Sequence, residues 1–265
     1  MTNNTKFTES RTIILLPVVI AAILVIGFSA PVSAFRIGGY EVVVPVIAHN
    51  PGLHGTEWRT DLWIDNPYGD TSTVTLTFYP QSGGSVVEET SIEAYRGFFY
   101  SDIVMNTFGM DNAKGLLLVS APGTSVEVRA RIYNTGGDEG EFGQAMFGIP
   151  TVDLRRQSYV SGVSTLAGNR VSVGIANPTG NTFEVTLRVR DASDNTDLYW
   201  ETIALAPHQL VQFSDVAARW GLIASPTITI QVNSGANESP IFAYASVVRN
   251  DTGDATFLFG TGPNT

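Results

Sequence analysis

Apolar and polar residues alternate along most of this chain. In Ser72-Thr73-Val74-Thr75-Leu76-Thr77-Phe78-Tyr79, Val74, Leu76 and Phe78 share one side and the threonines the other. In Ser125–Tyr133, Val126, Val128, Ala130 and Ile132 alternate with Glu127, Arg129 and Arg131, and Phe183–Arg190 repeats the arrangement. A period of two rich in β-branched residues predicts half-buried strands, each with one face on a core and one in water. Long stretches of 3.6-residue period are missing, which disfavours a βαβ fold.

The pattern also repeats on itself. Arg59-Thr60-Asp61-Leu62-Trp63-Ile64-Asp65-Asn66-Pro67 matches Arg170–Pro178 at an offset of 111, as Val74-Thr75-Leu76 matches Val185-Thr186-Leu187. Ser101-Asp102-Ile103 matches Ser214-Asp215-Val216 at 113. Ordered matches at a nearly constant offset indicate an internal duplication. Asn-Pro starts a turn in each copy, because proline fixes its own φ and pushes its predecessor out of the helical region. The Ser-Asp pairs predict an N-cap and one short helix per copy, the clearer being Val216–Trp220. Each copy has the length and turn spacing of a β-sandwich. The expectation is an all-β chain of two tandem Ig-like β-sandwich domains, 35–150 and 151–265.

The N-terminal segment breaks the pattern. A polar stretch with Lys6 and Arg11 precedes the uncharged run Ile13–Ile26, and small residues follow up to Ala34. That is the layout of a secretory signal peptide over 1–34, and the apolar run is short for a spanning helix. Export to the cell surface or extracellular space is the expectation, with no membrane contact beyond this segment.

Composition narrows the function. The chain has 265 residues, no cysteine, and a formal net charge of −10. Without cysteine there is no disulfide, thiol nucleophile or Cys-ligated metal. Two lysines in an acidic chain argue against nucleic acid, whose phosphates require dense basic surface. No nucleophile elbow, P-loop or dinucleotide fingerprint is present. The one dense polar group is His49, His54 and Glu57 in the loop His49–Trp58, but five residues around a Pro-Gly turn is not the helical His spacing of a zinc protease. These three are kept as a low-ranking site, and the chain reads as a non-enzyme. No cofactor is required. The loop holding Asp191, Asp194, Asn195 and Asp197 is the candidate place for a calcium ion, although such residues also build Asx-turns unaided. Trp58 and Trp200 are candidate sugar platforms, whereas Trp63 is read as part of a core strand. Arg129, Arg131, Arg188 and Arg190 form exposed pairs suited to a carboxylate partner or to cross-strand ion pairs.

Val44-Pro45-Val46-Ile47-Ala48-His49, Trp58–Pro67, Phe142-Gly143-Gln144 and the closing Ser246–Phe257 together resemble uncharacterised secreted bacterial proteins built of tandem Ig-like β-sandwich repeats. The resemblance implies export and fold, and no chemistry. The expected function is a non-catalytic extracellular structural or adhesive protein, a self-assembling surface or filament subunit that uses strand-edge contacts. Phe35–Ile47 is either its own domain's first strand or a strand given in trans. The alternative is a calcium-assisted carbohydrate-binding module, so the partners considered are a second copy, a surface protein or a glycan.

Overall fold

A computed structural model describes residues 38–136, 141–235 and 239–262, all within one compact unit, Arg36–Thr265. The segment 1–34, expected to be a signal peptide, lies outside the described residues. The chain is all-β with antiparallel pairing throughout. The first half carries β1 (Gly38–Gly39), β2 (Glu41–Pro51), β3 (Glu57–Asp65), β4 (Ser72–Pro80), β5 (Val86–Ile92), β6 (Gly97–Tyr100), α1 (Ile103–Asn106), β7 (Ala113–Ser120), β8 (Val126–Asn134), β9 (Phe142–Phe147) and β10 (Ile149–Pro150). The second carries β11 (Gln157–Val163), β12 (Asn169–Ala176), β13 (Phe183–Asp191), β14 (Asp197–Leu205), β15 (Leu210–Phe213), α2 (Val216–Trp220), β16 (Ile228–Asn233), β17 (Phe242–Arg249) and β18 (Ala255–Phe259).

Two layers form in each half. In the first, β6, β3, β8 and β9 lie side by side as sheet I, and β10, β2, β7, β4 and β5 as sheet II. Strand β2 joins the layers, because Glu41–His49 pair with β7 while Asn50 and Pro51 pair with β3. A bulge between Val44 and Ile47 contains Pro45, which has no N–H to give to a ladder. In the second half, β11-β16-β13-β14 form sheet III and β15-β12-β17-β18 form sheet IV. The alternating residues fill the interior, with Val74, Leu76 and Phe78 against Leu62, Ile64 and Val128 in one half. Val185, Leu187 and Val189 meet Val171, Val173 and Ile175 in the other.

The pairing of the central strands keeps the same register in both halves. Trp63 lies opposite Phe99 and Arg129, and the positions 111 to 115 residues later, Gly174, Gln212 and Tyr244, hold the same register. The Asn-Pro asparagines repeat too. Asn66 and Asn177 are buried, and each donates its amide to a carbonyl four residues on while accepting the N–H two residues on. The helix caps differ from expectation. Asp102 and Asp215 occupy the N-cap positions with left-handed φ of 41° and 47°, and neither side chain caps its helix.

The halves pack through the outward face of sheet IV. Ala176, Leu210, Phe242 and Tyr244 join the core of the first half, while Tyr79 stacks on His208 with ring centroids 4.3 Å apart. Gln81 donates to the Leu210 carbonyl, and Gln144 to the Ser246 hydroxyl. Tyr244 can lie flat because position 174 is glycine: a Cβ there would stand 2.1 Å from the Tyr244 ring. Gly174→Val is therefore expected to lower stability by about 1–3 kcal/mol, as overpacking does. Urea unfolding checks this, and an unchanged midpoint would mean that the ring has room to move.

Candidate functional site

Sheet I presents the equivalent outward face, and here it is open. Thr60, Leu62 and Ile64 of β3 point inward, so Asp61, Trp63 and Asp65 point out. This corrects the reading of Trp63 as a core residue: it shares the side of the two aspartates, a parity already present in the sequence. Across the sheet, one row reads Phe99, Trp63, Arg129, Phe147. Phe99 is 54% and Phe147 45% exposed. Trp63 packs on Phe99 at 5.0 Å, and the Arg129 guanidinium lies 6.0 Å from the Phe147 ring centre. Arg131 covers Tyr133 at 4.7 Å in the neighbouring rows. Large exposed aromatics lined up with arginine are the composition of a contact surface.

Carboxylates border this face. Arg129 pairs with Glu127 and Arg131 with Glu141, so both arginines have local partners. Tyr133 donates its hydroxyl to Asp61, which also accepts the Asp102 N–H. Asp102 in turn lies 2.7 Å from His49 Nδ1 and 3.7 Å from Arg59, and His49 Nε2 is 3.3 Å from Asp111. Three of these groups, Asp61, Asp102 and Asp111, were not linked to His49 by sequence spacing, since strand pairing and the αL turn at Asp102 bring them together. His54 sits apart in an exposed turn with φ 57°, and Glu57 reaches only Arg59. One ring nitrogen of His49 is held by Asp102, and the other faces the exposed Asp111. Among the described residues no three His, Asp or Glu side chains are placed to hold a metal ion.

The acidic loop of the second half spends its oxygens on the hairpin between β13 and β14. Asp191 accepts from Ser193, Asp194 from the Thr196 N–H, Asn195 from Arg190, and Asp197 pairs with Arg190. The two candidate tryptophans are not brought together: Trp200 is 66% exposed on β14, while Trp58 lines a cleft between the halves.

No protein-family model matches the chain, and no curated protein does. Among solved structures, the chain is similar to that described as the crystal structure of Thermotoga maritima 1070, at 15% identity and a TM-score of 0.35, over 43% of this chain and 95% of that one. It is also similar to a lectin from Pleurotus ostreatus in complex with GalNAc, at 10% identity, 86% of both chains and a TM-score of 0.24. An anti-sigma factor domain-containing protein follows at 8% identity, 83% of both chains and 0.14. Likenesses at this level carry no argument about what this chain does.

Burial, and the carboxylates of Asp61, Asp102 and Glu141 beside it, push the Tyr133 hydroxyl up to about 12. A phenol held protonated in the folded state contributes stability that is fully present below about pH 10, its unfolded value, and is lost as pH rises through about 12. Tyrosinate absorbance during alkaline titration is expected to show several late-ionising tyrosines, Tyr133 and the buried Tyr244 among them, with Asp61→Asn bringing one of them to lower pH; a titration curve unchanged by Asp61→Asn would contradict this.

Proposed function

We propose that this is a non-catalytic extracellular structural or adhesive protein of two Ig-like β-sandwich domains, 35–150 and 151–265, exported by the segment 1–34. It acts by contact, and the contact surface is the outward face of sheet I. The supporting observation is the use of one sheet position in two ways. In the second half the face bearing Gly174, Tyr244 and Ser246 is covered by the first half, while on the equivalent face Phe99, Arg129 and Phe147 remain exposed among the described residues.

The occupant proposed is the same face of a second copy. Its central row carries three aromatic rings with Arg129 among them, and Arg131, Glu127 and Glu141 add both signs beside it. A surface mixed in this way is complementary to itself across a two-fold axis, which closes at a dimer. Strand-edge pairing is the weaker route. From Glu41 on, the candidate donor strand is already hydrogen-bonded, to β7 on one side and to β10 on the other. Edge strand β5, one of several sheet edges, carries Glu88 and Glu89, charges that discourage edge-to-edge addition there.

Light scattering across a concentration series tests the reading. Association to a dimer is expected, with Phe99→Ser and Phe147→Ser together weakening it by roughly thirtyfold or more, as loss of aromatic anchors does. The thermal midpoint of the dilute protein should stay unchanged, because both rings are solvent-facing there. A monomer at every concentration would contradict the proposal.

A further inference from the structure

The packing of the halves leaves a cleft of ≈ 340 Å³ between them. That lies near the lower end of small-molecule sites, at the size of a single sugar. Lys114 and Trp58 come from the first half and Arg170 from the second, with the amides of Gln144 and Gln212 and the Ser246 hydroxyl between them. No carboxylate is among the lining residues.

Arg170 is the decisive group. It is only 7% exposed, and Nη1 donates to Asn250 at 3.1 Å, but Nη2 is buried with no hydrogen-bond partner. Asp215 acts on it electrostatically without reaching ion-pair distance, and burial pulls its guanidinium below the usual range. The equivalent residue of the first half has no such gap. Arg59 donates to the Trp58 carbonyl at 2.8 Å and has Glu57 and Asp102 close by. Lys114 repeats the imbalance: burial lowers its ammonium, and among the described residues no carboxylate pairs with it. A buried guanidinium donor left unpaired is costly unless something accepts from it. Two unneutralised cations in one cleft name the sign of that acceptor.

We infer that the cleft binds a small ligand bearing a carboxylate, of the size and hydroxyl content of a sugar acid. The Arg170 Nη2 and Lys114 ammonium hold the carboxylate as charge-assisted donors. The bonded pair Gln144–Ser246 and Gln212, whose carbonyl accepts from Tyr244, offer their remaining polar atoms to hydroxyls, and the Trp58 indole offers an apolar edge. The site is separate from the face of sheet I, so binding does not rest on self-association.

Isothermal titration of the purified protein with galacturonate, galactose and inorganic phosphate tests it. Galacturonate is expected to bind at millimolar concentration or tighter, with galactose and phosphate at least tenfold weaker. Lys114→Met should weaken galacturonate about tenfold and Arg170→Met tenfold to a hundredfold, the range for losing a charge-assisted hydrogen bond. Since Arg170→Met removes a buried group, the Lys114 variant, with its thermal midpoint unchanged, carries the test if the other misfolds. The Phe99→Ser, Phe147→Ser protein should bind as wild type does. Absence of galacturonate binding overturns the inference, as does equal binding of galactose or phosphate. An affinity untouched by Lys114→Met overturns it too.

Discussion

Tyr244 lying over Gly174, with its ring in the core of the first half, ties the molecule together. A tyrosine in this place gives up its water, and its hydroxyl finds only Gln212 as acceptor, at 3.3 Å. Around it Phe242, Leu210 and Ala176 extend the first core into the second half. The cleft exists because this packing is not continued to its end. Beyond Tyr244 the facing residues turn polar: Gln144 and Ser246 bond each other across the seam, and Lys114 and Arg170 line the space beside them.

Duplication gave the two halves one scaffold and different surfaces. The register is shared, as are the buried Asn66 and Asn177 amides and the left-handed Asp102 and Asp215. What differs is the outward row. Where the second half has Gln212, Gly174 and Tyr244, the first has Phe99, Trp63 and Arg129, and Trp63 in the place of glycine leaves no room for an aromatic ring to lie against the strand. A sheet face that small residues open for a neighbour in one half is filled by aromatics and arginine in the other.

Much of this could be read from the sequence, for a physical reason: a strand with one buried face must alternate. Val74, Leu76 and Phe78, or Val126 to Ile132, declared their sides directly. Short range also sufficed for the Asn-Pro turns, though not for the buried amides that stitch those turns to loops 26 to 29 residues on. Trp63 was misread because hydrophobicity was weighed above parity; Asp61 and Asp65 on either side placed it outward. The cleft had no local signal. Lys114 and Arg170 are far apart in the chain, and Ser172, Gly174 and Ser246 look like any solvent face of a strand. His49 likewise met Asp102 and Asp111 only through strand pairing.

Whether the two equivalent faces differ as described is answered most directly by hydroxyl-radical footprinting of the purified protein across a concentration series. Phe99 and Phe147 should be oxidised readily in dilute solution and become protected as concentration rises, while Tyr244 stays protected throughout. Labelling of Tyr244 as fast as Phe99 in the dilute protein would contradict the packing of the halves. Labelling of Phe99 and Phe147 that ignores concentration would contradict the role given to sheet I.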